Sequence, residues 1–187
     1  MLTDRVIGAF TFRRGVYAEV EQDTSFTPIA WILVTVAAFL NQLGSFASGS
    51  LLTLPIAAIG GVVFLILGFV VGVLVINWVG QIVFKADTSF GELVRTLGLA
   101  YVWQAIGVLG ILSAFFRAIS DVLDMVMFMA AIVLIIAWVI AAKQALGLSW
   151  VKTIITVAIG GLAQFVIRVL VLGLVLGLLE LSAGAIG

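Results

Sequence analysis

The sequence predicts an all-α integral membrane protein, a bundle of about five transmembrane helices with its N-terminus in the cytoplasm and its C-terminus outside. Three observations predict it. Of the 187 residues, 64% are hydrophobic and 10% charged, and the mean hydropathy is +1.37, whereas a soluble domain carries roughly 45–50% apolar and about 25% charged residues. The charges bound apolar runs of spanning length. The basic residues fall on alternate connections, which is the asymmetry that orients membrane proteins.

The elements follow in order. Residues 1–27 form a short cytoplasmic or interfacial segment. Asp4, Arg5, Arg13, Arg14, Glu19, Glu21 and Asp23 interrupt any apolar core of signal-peptide length. Leu2, Val6, Phe10, Tyr17 and Val20 could line one face of a short helix lying in the interface, with the arginines at the headgroups. From Thr24 to Phe84 there is no charge, a run of 61 residues. A bilayer core about 30 Å thick needs roughly 20 helical residues, so this run holds two spans. The turn-prone stretch Gly44-Ser45, Ser48-Gly49-Ser50 and Pro55 divides it. The first span is placed near Pro28–Ala47 and the second near Leu54–Phe84, which must tilt, project into water or break near Gly60-Gly61.

Lys85, Asp87, Glu92 and Arg95 then mark a return to water, and the uncharged run Thr96–Phe116 is the third span. Arg117, Asp121 and Asp124 form the next connection, Met125–Ala142 the fourth span, and Lys143 to Lys152 a connection around Gly147-Leu148-Ser149. The fifth span, Thr153–Leu179, contains one charge, Arg168, and ends at Glu180. The spans therefore occupy residues 28–181, and 182–187 form a small-residue tail. An inside N-terminus puts Arg5, Arg13, Arg14, Lys85, Arg95, Lys143 and Lys152 on the cytoplasmic side and only Arg117 outside.

Composition also excludes function classes. Nine basic residues balance nine acidic ones, so no net charge recruits nucleic acid. The absence of cysteine and histidine removes thiolate nucleophiles, disulfides, imidazole bases and the usual zinc ligands. No phosphate-binding glycine loop or metalloprotease motif is present. The reading is not an enzyme, with no metal and no cofactor.

The order of charges and small residues resembles the Yip-domain (Ypt-interacting-protein-like) membrane family, in its prokaryotic members. Arg5-Val6-Ile7-Gly8-Ala9-Phe10 followed by Val16-Tyr17-Ala18-Glu19-Val20-Glu21-Gln22-Asp23 looks like that family's cytoplasmic lead-in. Ser89-Phe90-Gly91-Glu92-Leu93-Val94-Arg95-Thr96-Leu97-Gly98-Leu99-Ala100 is similar to its most distinctive stretch, before the third helix. Ala142-Lys143-Gln144-Ala145-Leu146-Gly147-Leu148-Ser149 with Lys152-Thr153-Ile154 resembles its last inner loop. Trp103 stands where the family usually has a proline. The resemblance implies a multi-pass protein of the cytoplasmic (inner) membrane, in contact with lipid and with other membrane proteins or a second copy. GTPase binding is implied by family analogy alone.

Four residues are candidates for an intramembrane polar cluster. Arg168 is a charge inside a span, costly unless it snorkels or finds a partner. Gln164 is one turn away on the same face, and Asp124 and Asp121 are the carboxylates that a neighbouring helix would bring. The alternatives are an Arg168 that snorkels or supports packing and an ordinary water-exposed loop for the two aspartates. Gly68 with Gly72, and Gly173 with Gly177, have the spacing that lets helix backbones approach closely. Asn77, Gln81 and Gln104 read as interhelical hydrogen-bonding groups, and the five tryptophans read mostly as interfacial anchors. The function that follows is a non-catalytic scaffold, adaptor or organiser of a membrane or membrane complex. The alternative is a small transporter or channel with a polar path near Arg168, Gln164 and Asp124.

Overall fold

The computed structural model describes the backbone of residues 1–45 and 54–184, and the side chains of these apart from 54–58, 117 and 171–184. Two short helices, α1 (Leu2–Phe10) and α2 (Val16–Gln22), precede α3 (Phe26–Ser45) and α4 (Leu54–Phe84). Next come α5 (Phe90–Ala100), a 3₁₀ stretch (Tyr101–Gly110), α6 (Ile111–Phe115) and a 3₁₀ turn (Arg117–Ile119). The chain then forms α7 (Ser120–Leu146) and α8 (Trp150–Gly184). Among the described residues no strand occurs, and five segments are long and apolar enough to cross a membrane: Phe26–Ser45, Ile59–Phe84, Phe90–Phe115, Ser120–Leu146 and Trp150–Leu170. The expected turn through Ser48-Gly49-Ser50 lies outside the described residues.

The long helices α3 and α4 each bury one side, whereas α5 is buried all round from Leu93 to Ala100. On α3, Phe26, Ala30, Val34, Ala37 and Ala38 are buried at helical spacing, while Ile32, Val36 and Phe39 are exposed. On α4, Phe69, Val73 and Ile76 are buried while Leu67, Leu74 and Trp78 are exposed. In water, large exposed apolar faces of this kind would drive aggregation; around a membrane bundle they are the surface presented to lipid. An aromatic cluster marks the centre. Phe69 lies edge-on to Trp31, Tyr101 and Trp138, with ring centroids 5.7, 5.2 and 5.9 Å away.

Four expectations are corrected here. The second span does not break at Gly60-Gly61; α4 runs continuously to Phe84. The third span begins earlier than Thr96, because Ser89 and Glu92 form a reciprocal capping box that starts α5 at Phe90. Of the tryptophans, Trp78 and Trp150 are exposed, but Trp31, Trp103 and Trp138 pack inside the bundle. Arg95 does not return to water, and its setting is described below.

Among the described residues, the closest backbone approach is made at Gly44, Gly107 and Gly110. A Cβ on Gly44 would collide with the carbonyl oxygen of Gly107, and one on Gly110 would lie 2.8 Å from the carbonyl oxygen of Gly44. Asn41 Nδ2 donates to the Gln104 carbonyl at 3.3 Å beside this crossing. Thus α3 and the 3₁₀ stretch meet backbone to backbone. The 3₁₀ run spans 10 residues, longer than the three or four usual for this geometry.

The N-terminal segment closes one end of the bundle. Trp103 packs on Phe10 and Phe12, and Gln144 Nε2 donates to Glu21 at 2.8 Å. Lys152 Nζ lies 5.8 Å from the Phe84 ring. The lead-in, the α4–α5 connection and the α7–α8 connection therefore share one end.

Candidate functional site

Two places carry polar chemistry within the bundle. The first is Arg95, 6% exposed on α5. Its Nε donates to the carbonyls of Val20 and Glu21, each at 3.0 Å, its Nη1 donates to Thr27 Oγ1 at 3.3 Å, and its Nη2 also donates to the Glu21 carbonyl. These carbonyls belong to the last turn of α2, where helix ends leave acceptors unsatisfied and favour a cation. No carboxylate is needed, because backbone dipoles solvate the guanidinium. Nearby, Asp23 accepts from Arg5 Nη1 at 2.7 Å and from the Ser25 hydroxyl at 2.5 Å. The Ser25 and Arg5 hydrogen bonds hold its carboxyl below the usual range. Sequence reasoning placed Arg95 in a water-exposed connection. The signal that could have found it is its position in an otherwise apolar helix, three residues after a capping glutamate.

The second place is a cavity of about 290 Å³ between α7 and α8, floored by the 3₁₀ stretch. Leu134, Ile135 and Trp138 form one wall; Ile154, Val157 and Gly161 form the other. Gln104, Gln164 and Arg168 supply polar groups to the same space. Trp138 is 6% exposed, yet its indole N–H has no hydrogen-bond partner among the described residues. A buried donor left unpaired costs about 1–3 kcal/mol.

The four-residue polar cluster divides. Gln164 and Arg168 share the cavity, whereas Asp121 and Asp124 are exposed in the first turns of α7 and do not line it. No ion pair joins Arg168 to Asp124 among the described residues. The reason is packing. The cavity lies between α7 and α8, and Gln164, which lines it, also packs against α4. There a Cβ on Gly72 would meet Gln164 Nε2 at 2.7 Å, and Gly68 is 4.0 Å from Gln164 Cγ by the same measure. Gly160 of α8 faces Gly72, its Cβ position 3.1 Å from that carbonyl oxygen. Gly173 and Gly177 lie on α8 with surroundings outside the described residues, as does the side chain of Arg117. Gln81 Nε2 donates to the Thr88 carbonyl at 2.5 Å, and Asn77 Oδ1 is buried without a partner among the described residues.

A bundle of apolar helices packed about an aromatic centre, with a cavity between its last two spans to which Gln104, Gln164 and Arg168 bring polar groups, defines a multi-pass α-helical membrane protein. The chain matches the family model described as the Yip1 domain over residues 7–173. It belongs to that family of membrane proteins. No curated protein and no solved structure matches it.

Proposed function

We propose that the protein is a non-catalytic organiser of a membrane complex, and that it holds a membrane-embedded partner in the cavity between α7 and α8. The observation that carries this reading is an otherwise apolar cavity to which Gln104, Gln164 and Arg168 bring polar groups. An occupant with an apolar body and an acceptor oxygen would satisfy those groups. Pockets that bind ligands pair such apolar walls with a few convergent polar groups.

Site-specific photo-crosslinking in native membranes tests it. A crosslinker at Ile135 or Ile154 is expected to give one discrete protein adduct that Arg168→Gln abolishes. A crosslinker at Ile32, exposed on α3, is expected to give none. Equal labelling from Ile135 and Ile32, insensitive to Arg168, would overturn the reading. A small transporter is the second reading, favoured by the convergence of Gln104, Gln164 and Arg168 on one cavity. It requires substrate-dependent flux in liposomes that Arg168→Gln removes.

The cytoplasmic N-terminus is proposed from the basic asymmetry together with the three basic segments that meet at one end of the bundle. Reporter fusions are expected to place Glu92 and Lys152 inside and Ser50, Asp121 and Gly187 outside.

A further inference from the structure

A second cavity, of about 250 Å³, opens where the N-terminal segment meets the end of α7 and the start of α8. Ile140 and Trp150 give it an apolar wall, and Arg13, Arg14 and Lys143 bring positive charge to it. Arg13 is already engaged, its Nη2 donating to Glu19 at 2.9 Å. Arg14 and Lys143 have no carboxylate partner among the described residues; Lys143 Nζ lies 5.8 Å from the Trp150 ring. The other nearby carboxylate, Glu21, accepts from Gln144 instead.

Tyr17 completes the pocket. It is 5% exposed, and its hydroxyl has no hydrogen-bond partner among the described residues. Burial pushes that hydroxyl above the usual tyrosine range, so it remains a neutral donor. Two cations without a carboxylate partner among the described residues, at one cavity, ask for an acceptor-rich anion. An apolar wall beside them asks that the anion be attached to something greasy.

We infer that this pocket binds the phosphate of an anionic phospholipid. Arg14 and Lys143 hold the phosphate oxygens, and Ile140 and Trp150 pack against the glycerol and first acyl carbons. The position suits that ligand, since Trp150 is the first residue of α8 and basic side chains at a span end meet headgroups. A soluble phosphate ester would use the same donors but would gain nothing from the apolar wall. The inference is independent of the cavity between α7 and α8 and of what occupies it.

The test uses the full chain, purified in detergent and stripped of lipid, and reads thermal stability and lipid retention by native mass spectrometry. Phosphatidylglycerol is expected to stabilise the protein and remain bound, and phosphatidylcholine is not. Arg14→Gln with Lys143→Gln is expected to weaken phosphatidylglycerol binding about thirtyfold, the worth of two basic contacts at a membrane surface. Arg14→Lys with Lys143→Arg restores it. Lys143→Gln alone is expected to cost about fivefold, the worth of one basic contact, which makes the pocket testable even if the double variant folds poorly. Equal retention of phosphatidylcholine, wild-type binding by the double variant, or no effect of Lys143→Gln overturns the inference. Stabilisation by inorganic phosphate or glycerol phosphate equal to that by the lipid would overturn the lipid assignment.

Discussion

Arg95 and Arg168 are both arginines in apolar helices, and the structure treats them in opposite ways. Around Arg95, α2, α3 and α5 close so tightly that the guanidinium is buried and distributed over two backbone carbonyls and a threonine hydroxyl. Around Arg168, α7 and α8 stand apart, and the side chain is exposed at the end of a cavity. The same contrast runs through the glycines. Gly44 admits no side chain against Gly107 across the α3 crossing, whereas a Cβ on Gly161, in the cavity wall, would meet nothing within 4 Å. A charge in an apolar span is therefore no guide to function until the packing is known. The buried one ties the lead-in to the bundle, and the exposed one lines the cavity between α7 and α8.

The sharpest way to break this contrast is at the glycines. Gly44→Leu forces two backbones apart and is expected to cost about 3 kcal/mol or more, at the upper end for overpacking, with loss of folded protein on purification. Gly161→Leu should leave thermal stability in detergent within about 0.5 kcal/mol of wild type while filling the cavity. Equal losses in the two would remove the distinction between a closed and an open side.

The arginines come next. Arg95→Met strands two buried carbonyls and is expected to lose about 3 kcal/mol, in the range of charge-assisted hydrogen bonds. Limited proteolysis should then cut near Gly15, because α2 loses its tether. Arg168→Gln is expected to change stability by less than about 0.5 kcal/mol, and a double-mutant cycle with Asp124→Leu to give a coupling near zero. A coupling of about 1 kcal/mol or more would mean that the two residues meet.

A smaller effect is expected between the second and fifth spans. Gly72→Leu must displace Gln164, a flexible side chain rather than backbone, and should cost about 1–2 kcal/mol. Gly68→Ala should be neutral, its nearest neighbour being at ordinary contact distance. The smallest effect is with pH. The depressed Asp23 carboxyl contributes stability that is present above its unfolded pKa of about 3.9 and is lost as pH falls through its lower folded value. Asp23→Asn should remove that part of the acid sensitivity, measured as the shift in thermal midpoint between neutral and acidic buffer.

How much was legible in the residues can be stated element by element. The span content follows from composition and run length, because transfer of apolar helix into lipid is a property of each segment alone. For that reason the boundaries of α4 and the existence of α7 and α8 were readable. The resemblance of Ser89–Ala100 to a family stretch was also readable, but its physical meaning was not. Glu92 caps a helix and Arg95 binds carbonyls some 75 positions away in sequence, and neither bond has a local signature beyond the capping box itself.

What the sequence by itself determined is the class: an apolar, charge-poor chain whose polar residues fall at regular breaks can satisfy its backbone in a bilayer only as helices. Only the tertiary structure decided which polar groups meet. Helix rotation and crossing are set by side-chain packing between spans, where lipid and protein are equally apolar and close fit does the sorting. That fit turned Gln164 towards Gly72 and left Asp124 at the surface. It also drew Gly44 and Gly107 together and opened the cavity beside Trp138, because two helices that pack well elsewhere need not touch each other.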